Sequence, residues 1–156
     1  MLGQRRGRSL LRALRRPEPV SAPHRDGYVA LDGALRIAGF ATVTASELSP
    51  AATLPPKRRR VATYPLPVLR LARLGVDQAF QGQGVGSLLL RAVVQLAKDM
   101  AVEIGCVGVV VDAKPEALPF YQKLGFEPLE VVAGELGDRP EPQPLFLELG
   151  QVLRAR

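Results

Sequence analysis

The spacing of apolar residues predicts strands in the first half of the chain. Residues 28–31 and 35–45 flank the turn signal Asp32-Gly33, a pattern that is typical of a β-hairpin. A Pro-rich loop over 49–67 precedes residues 68–76, which alternate as a strand. The alternation places Leu69, Leu71 and Arg73 on one face of that strand, and Arg70, Ala72 and Leu74 on the other.

The second half combines helical and strand patterns. Apolar residues recur at helical spacing over 84–103, and Gly105 is expected to end this helix. Residues 106–111 are continuously apolar, which indicates a strand that is buried on both faces. Pro115 is expected to open a short helix that reaches Leu124.

Two further strands are expected over 126–132 and 145–149, and the second is a candidate for pairing across a homodimer. The resulting order predicts an α/β fold with a mixed sheet and a central βαβ unit, formed by 68–76, 84–103 and 106–112. With 156 residues, the chain is expected to hold one such domain.

The two ends of the chain differ from its middle. Residues 1–27 are rich in Arg and Pro, so we expect a basic N-terminal segment there, a domain over 28–150 and a tail over 151–156. Leucines at helical spacing favour a weak amphipathic helix around residues 8–16, with a disordered basic tail as the alternative.

Positive charge is concentrated in two runs. The chain has 21 Lys and Arg against 15 Asp and Glu, a net charge of +6, and six arginines lie within residues 1–16. The second run comprises Lys57, Arg58, Arg59 and Arg60, followed by Arg70 and Arg73. Such clusters attract polyanions, although a solvated loop gives the same pattern.

The scarcity of cysteine and histidine excludes several classes of site. Cys106 is the only cysteine, which excludes an intramolecular disulfide and a Cys-rich zinc site. The only histidine, His24, lies in the Pro-rich segment, so no metal ion and no His-assisted nucleophile are expected. No run of about 18 apolar residues and no signal-peptide pattern is present. We therefore expect a cytoplasmic protein without a membrane partner.

The candidate for chemistry is the segment Gln81-Gly82-Gln83-Gly84-Val85-Gly86, which lies between a predicted strand and a predicted helix. Glycines permit positive φ angles and a close approach of a ligand to the main chain. The start of a helix offers free N–H groups and the positive end of the helix dipole. The segment is therefore a candidate anion site, most naturally for phosphate.

Several interpretations of this glycine segment compete. A P-loop needs a lysine, but Gly86 is followed by Ser87. A dinucleotide fingerprint needs a small residue three positions after its second glycine. One alignment places Ser87 there, which departs from the pattern, and the other places Leu89 there. A structural turn without a ligand is a third interpretation. The pattern Gln/Arg-x-x-Gly-x-Gly/Ala matches at Gln81, Gly84 and Gly86.

This last pattern resembles the pyrophosphate-binding motif of the GNAT superfamily of acyl-coenzyme A N-acyltransferases. Residues 71–77 (LARLGVD) are similar to the strand that leads into the family's loop. Residues 117–126 (ALPFYQKLGF) are similar to the family's ending A-x-x-FY-x-x-x-GF. The resemblance covers about residues 28–149, and it implies a GNAT-like fold whose N-terminal strand and helices are shortened.

The resemblance also implies N-acetyltransferase activity with acetyl-coenzyme A as the cosubstrate. Backbone N–H groups of residues 82–87 would hold its pyrophosphate, and Tyr121 matches the family's acid, which protonates the departing thiolate. Asp77, Asp112 and Glu47 are expected to be turn or cap residues, so no general base is evident. The residues implied in cosubstrate binding are Leu74, Val76, Gln81, Gly82, Gln83, Gly84, Val85, Gly86 and Ser87.

Within the superfamily, the chain is similar to the toxins of bacterial toxin–antitoxin modules, which acetylate the amino acid on charged tRNA. This similarity implies charged tRNA as a substrate and a ribbon-helix-helix antitoxin as a partner. The residues implied in tRNA binding are Lys57, Arg58, Arg59, Arg60 and Arg73. Acetylation of a small-molecule or protein amine is one alternative. A non-catalytic module that binds acyl-coenzyme A or an antitoxin is another.

Overall fold

The computed structural model describes residues 11–16, 26–48, 64–129 and 142–150. Within these ranges the strands are β1 (Arg12–Arg16), β2 (Asp26–Leu31), β3 (Ile37–Leu48), β4 (Leu66–Val76), β5 (Gly108–Ala113), β6 (Glu127–Pro128) and β7 (Gln143–Glu148). They form one seven-stranded sheet in the order β1-β2-β3-β4-β5-β7-β6. The helices are α1 (Val85–Ile104) and α2 (Leu118–Lys123), each preceded by a 3₁₀ turn, Gln78–Phe80 and Pro115–Ala117 respectively. The predicted α/β fold with a mixed sheet is confirmed.

The βαβ unit is built from β4, α1 and β5. β4 and β5 pair in parallel, whereas every other neighbouring pair in the described sheet is antiparallel. The parallel pairing is short, since it joins only Leu69–Leu71 to Val109–Val111. A crossover helix is required between parallel strands, and α1 supplies it.

The apolar stripe of α1 explains where the main core lies. Gly84 and Gly105, at φ angles of 81° and 75°, bound the helix at its two ends, as left-handed glycines do. The side chains that face the sheet are Val85, Leu89, Leu90, Val93 and Ala97. Leu89 is fully buried, and burial of a leucine side chain contributes about 1.5–3 kcal/mol. The opposite face of the sheet holds a smaller cluster of Val68, Val110 and Phe146.

The expected helix around residues 8–16 is wrong for Arg12–Arg16, which form β1 at the edge of the sheet. β1 pairs antiparallel with β2, and Ala13 lies opposite Ala30. Pairing with a neighbouring strand satisfies the backbone of this segment, whereas an isolated helix shorter than about 12 residues is marginal in water. β1 therefore joins the sheet of the domain predicted over 28–150. The predicted tail over 151–156 lies outside the described residues.

The expected alternation of side chains along β4 is wrong beyond Leu71. β3 pairs with Leu71 and then with Arg73, so Ala72 is an extra residue in a β-bulge. An extra residue inverts the faces of the side chains that follow it. Leu74 is consequently packed against the core on the α1 face. Arg73 is exposed on the opposite face, the same face as Arg70.

The strand predicted over 145–149 is β7, and it is not an edge strand in the described sheet. β5 pairs with it along one side, and β6 pairs with Leu145 and Phe146 on the other. β6 occupies the outer side of β7 at Leu145 and Phe146, so pairing across a homodimer is excluded at these two residues, and the homodimer itself stays a prediction. β6 itself is shorter than predicted, and residues 130–141 lie outside the described part of the chain.

Candidate functional site

A cavity opens where β4 and β5 diverge. Parallel pairing ends at Leu71 opposite Val111, so β4 has no partner from β5 over Ala72–Val76. A cavity of about 470 Å³ lies beside this free edge. Its lining comprises Leu74, Val76, Phe80, Gln81, Gly82, Gly84, Val85, Gly86, Ser87, Ala117, Phe120 and Tyr121. Ligands of open α/β sheets bind at such a position, outside the carboxyl ends of the strands.

The glycine loop forms one wall of this cavity. Gly82 and Gly84 both have positive φ angles, 73° and 81°, and a Cβ at either position would meet nothing within 4 Å. Gly84 caps α1 without a side-chain hydrogen bond, so the first N–H groups of the helix remain available. The loop therefore presents bare backbone and a helix N-terminus to the cavity, an arrangement that suits a phosphate.

Gly86 allows a second wall to come close. A Cβ on residue 86 would lie 3.1 Å from Cζ of Phe120, tighter than ordinary van der Waals contact. The ring of Phe120 both packs against the core and lines the cavity. The absence of a side chain at residue 86 thus sets how closely α1 and α2 approach across the cavity.

Tyr121 lies on α2 and faces the same cavity as the glycine loop. Its side chain is 5% exposed and packs edge-to-face against Phe120 and Phe126, with ring centroids 5.1 Å and 5.4 Å away. Its hydroxyl forms no hydrogen bond among the described residues, and the hydroxyl oxygen is not fully buried. Burial raises the pKa of Tyr121, so the phenol is protonated at neutral pH and can act as a proton donor.

The two carboxylates near the cleft, Asp77 and Asp112, are engaged in structural contacts. Asp77 caps the 3₁₀ turn, where its Oδ1 accepts a hydrogen bond from the N–H of Ala79 at 2.8 Å, as expected of a cap residue. Asp112 forms an ion pair with Arg70. Glu47 is exposed near the end of β3. None of these carboxylates lines the cavity.

Most of the residues predicted for cosubstrate binding meet at this cavity, and one does not. Gln83 turns away from the cavity, because its side-chain amide donates to the carbonyl oxygen of Ala79 at 3.2 Å. Val85 lines the cavity but places its side chain in the core. The other predicted residues, Leu74, Val76, Gln81, Gly82, Gly84, Gly86 and Ser87, all line the cavity.

Of the basic residues predicted to bind tRNA, only Arg73 is among the described residues, and it does not line the cavity. Arg73 is exposed on the sheet face opposite α1, because of the bulge at Ala72. Residues 57–60 lie outside the described residues. The tRNA-binding role of all five stays a prediction.

Sequence reasoning missed Phe80 and Ala117 as lining residues. Phe80 ends the 3₁₀ turn directly before the glycine motif, and Ala117 ends the second 3₁₀ turn. An aromatic residue directly before a glycine loop is a weak signal that could have indicated Phe80.

The described residues contain neither a candidate metal site nor a candidate membrane-spanning helix. No group of three or more His, Cys, Asp or Glu residues there is placed to hold a metal ion. Neither helix in that part of the chain has the length and apolarity needed to cross a membrane.

Comparison with known proteins gives one family. The model of the acetyltransferase (GNAT) domain matches residues 23–128. The tRNA-acetylating toxin of Mycobacterium tuberculosis is 37% identical over 93 residues, which are 59% of this chain and 55% of that protein. Glucosamine 6-phosphate N-acetyltransferase of Trypanosoma brucei brucei is 35% identical over 51 residues, 33% of this chain and 32% of that protein. The chain thus spans about half or less of the length of these curated relatives.

Solved structures share the fold. AtaT complexed with acetyl-methionyl-tRNAfMet matches with a TM-score of 0.71 and 24% identity, over 84% of this chain and 75% of that chain. A tyrosine-to-phenylalanine mutant of KacT matches with a TM-score of 0.72 and 24% identity, over 85% of this chain and 75% of that chain.

Proposed function

The chain belongs to the GNAT acetyltransferase family, and we propose that it transfers the acetyl group of acetyl-coenzyme A to the amino group of an aminoacyl-tRNA, as a bacterial toxin does. One observation carries the proposal: the glycine loop at the start of α1 and the hydroxyl-bearing Tyr121 line one cavity beside a free strand edge. The identity with a tRNA-acetylating toxin supports the choice of acceptor.

The cavity fits the cosubstrate by size and by chemistry. Its volume of about 470 Å³ lies within the range of about 300–1,000 Å³ that is usual for small-molecule sites. The open space at the Cβ positions of Gly82 and Gly84 forms a cradle that any side chain would narrow. Backbone N–H groups over 82–87 would bind the pyrophosphate, and the free edge of β4 at Leu74 and Val76 would pair with the pantetheine arm.

Acetyl-coenzyme A supplies an activated acetyl group as a thioester. In the reaction the amine nitrogen forms a bond to the carbonyl carbon, and the carbon–sulfur bond breaks. A backbone N–H near Val76 would polarise the carbonyl. Tyr121 would donate its proton to the departing thiolate, and burial keeps the phenol protonated and available as the donor at neutral pH.

The acceptor amine needs no strong base from the protein. An α-amino group has a pKa near 8, so about a tenth of it is neutral at pH 7, and the ester bond to tRNA increases this fraction. This agrees with the site, in which Asp77 and Asp112 are engaged in other contacts. The proton of the attacking amine passes to water.

Charged tRNA would be held by basic residues. Lys57, Arg58, Arg59 and Arg60 are consecutive, and Arg73 is exposed on the sheet face opposite α1. Contacts to phosphates give an affinity that falls with salt concentration. A ribbon-helix-helix antitoxin is the protein partner that this function implies, and a homodimer is a further expectation.

The proposal is tested with purified protein, acetyl-coenzyme A and total aminoacyl-tRNA from a bacterium. Mass spectrometry of the released aminoacyl groups is expected to show acetylation by the wild type and not by the Tyr121→Phe variant. In cells, induced wild type is expected to arrest growth, and the variant is not. Coenzyme A release without acetylated tRNA, in the presence of amino sugars or other small amines, would instead support a small-molecule acetyltransferase like the glucosamine 6-phosphate relative.

The basic run has its own test. Replacement of residues 57–60 by alanine is expected to weaken tRNA binding and to flatten its salt dependence. Acetyl-coenzyme A binding is expected to stay as in the wild type. Unchanged tRNA affinity and an unchanged salt slope would remove this run from the tRNA site.

A further inference from the structure

We infer that the β2–β3 turn, residues 32–36, is a clamp on the phosphate-binding loop, residues 77–84, and that Arg36 is a positioning residue for acyl-coenzyme A. This inference rests on the proposed function, because it assigns Arg36 to the support of the cosubstrate site. No sequence motif points to Arg36, which lies about forty residues before the glycine segment.

The turn is a closed, internally bonded unit. Asp32 is 4% exposed, and its Oδ1 accepts hydrogen bonds from the backbone N–H groups of Ala34 and Arg36, both at 2.9 Å. The N–H of Asp32 donates to the carbonyl oxygen of Arg36, and the N–H of Leu35 donates to that of Asp32, both at 3.0 Å. These bonds hold Leu35 at a φ of 62°, a left-handed conformation that side chains rarely adopt.

The buried carboxylate of Asp32 also orients the guanidinium of Arg36. Its Oδ2 accepts from Nε at 2.9 Å and lies 2.8 Å from Nη2. The hydrogen bond from the backbone N–H of Arg36 contributes most to lowering the pKa of Asp32, so the carboxylate stays charged at neutral pH. The side chain of Arg36 is 72% exposed, yet one edge of its guanidinium is fixed.

Arg36 contacts the phosphate-binding loop through an aromatic ring. Its Cζ lies 5.4 Å from the centroid of Phe80, within the range of a cation–π interaction. Phe80 lines the cavity next to Gln81. A backbone bond from the N–H of Asp77 to the carbonyl oxygen of Ala38, at 2.9 Å, ties the start of the loop to β3, directly after the turn. One contact from the turn and one from the start of β3 therefore hold the first half of the loop.

The second half of the loop has few anchors of its own. Gly82 has no side chain, and the space around its Cβ position is open. Gly84 is held by α1, since its carbonyl oxygen accepts a hydrogen bond from the N–H of Leu88 at 3.0 Å. The position of the Gly82 N–H therefore depends on the anchored half that precedes it, through Phe80. Loss of the Arg36 contact would release that anchor and reduce the preorganisation of the phosphate site. Cosubstrate affinity would fall while the chemical step at Tyr121 would not change.

The test measures coenzyme A binding by calorimetry in the full chain. Arg36→Ala is expected to raise the Kd about three- to tenfold, and Arg36→Lys, which keeps a cation near the ring, less. The KM for acetyl-coenzyme A is expected to rise by the same factor with kcat unchanged. In a Phe80→Leu background, Arg36→Ala is expected to have no further effect. Arg12→Ala, which removes an exposed arginine on β1, separated from β4 by β2 and β3, is the matched control.

Each alternative outcome has a distinct meaning. A wild-type Kd in Arg36→Ala overturns the inference. An equal loss in the Phe80→Leu background also overturns it, because Arg36 would then contact the ligand directly. A fall in kcat together with a lower Tm would show a general structural role instead, and it would overturn the inference as well.

A wild-type protein that fails to bind coenzyme A would count against the proposed function, and the clamp would then be judged without ligand. Amide hydrogen exchange over residues 78–84 is expected to be faster in Arg36→Ala than in the wild type and in Arg12→Ala. Equal exchange rates in the three proteins would overturn the clamp.

Discussion

Arg70 and Asp112 form an ion pair across the parallel junction of β4 and β5, with 2.6 Å between Nη1 and Oδ2. The pair lies just before the point where the two strands diverge, so it closes the sheet next to the cavity. Asp112 is thereby engaged by a guanidinium, and it does not line the cavity.

This pairing predicts a mild phenotype for Asp112→Asn. The amide can still accept a hydrogen bond from Arg70, and both partners are partly exposed, with side-chain exposures of 32% and 48%. The free energy of unfolding is expected to change by less than about 1 kcal/mol. The rate of acetyl transfer, measured as the release of coenzyme A, is expected to be unchanged. A large drop in kcat with normal stability would instead identify Asp112 as a base.

Tyr121→Phe removes the proposed acid while keeping the ring that packs against Phe120 and Phe126. Loss of a general acid lowers kcat by about 10²–10⁴-fold. The Kd for coenzyme A is expected to stay as in the wild type, since the glycine loop is untouched. Stopped-flow or steady-state release of thiol measures the first quantity, and calorimetry measures the second. Normal turnover in this variant would contradict the acid role.

The pH dependence of stability provides a separate check on Tyr121. Burial raises its pKa in the folded state above its usual value near 10, so its contribution to stability is fully present below about pH 10. As the pH rises beyond that point the unfolded chain ionises first, and stability is lost through the folded-state pKa. Thermal melts between pH 8 and pH 11 are expected to show a steeper alkaline fall for the wild type than for Tyr121→Phe. Parallel curves would show that the burial is not felt by this phenol.

Alanine variants of Gly84 and Gly105 distinguish the effect of backbone strain from the effect of a lost ligand contact. Both have positive φ, at opposite ends of α1, and neither has atoms near its Cβ position. Alanine at either position is expected to cost about 1–2 kcal/mol of stability because of the left-handed backbone. Only Gly84→Ala is expected to weaken coenzyme A binding, by about tenfold or more, since its Cβ would narrow the cradle. Equal binding by the two variants would argue against the loop as the phosphate site.

Arg73 predicts a purely electrostatic phenotype. Because it is exposed outside the cavity, Arg73→Ala is expected to leave the KM for acetyl-coenzyme A unchanged. The affinity for charged tRNA is expected to fall. A plot of the logarithm of this affinity against the logarithm of salt concentration is expected to become shallower, with a slope smaller in magnitude by about one. Arg73→Lys is the control that keeps the charge. An unchanged slope in Arg73→Ala would exclude a phosphate contact.

Much of the fold could be predicted because the local pattern and the tertiary environment agree. The helical period over 84–103 and Gly105 predict α1 to within about one residue at each end, since a long amphipathic helix carries its own signal. The short apolar run before Pro115 likewise predicts the buried strand β5, displaced by two residues. The connection from Gly105 occupies those two positions, where the N–H of Cys106 bonds to the carbonyl oxygen of Met100 at 3.3 Å.

The failures share a different physical cause. β1 is a strand because it lies beside β2, and no feature of its arginine-rich sequence encodes that neighbour. The bulge at Ala72 has no proline or glycine to mark it, so simple alternation assigns Arg73 to the wrong face. Arg36 and Phe80 meet only through the fold, and a one-dimensional motif does not contain such a contact.

The bulge at Ala72 divides β4 into two reading frames of opposite parity. Before it the odd-numbered residues Leu69 and Leu71 point at α1, and after it the even-numbered residues Leu74 and Val76 pack on that side. If Ala72 were instead paired as a regular strand residue, Leu74 would turn outward and the guanidinium of Arg73 would be placed under the helix. Ala72 therefore determines which side chains face α1 in the half of β4 that borders the cleft, relative to the half that pairs with β5. Deletion of Ala72 itself would straighten the strand and keep the side chains of both halves on their present faces.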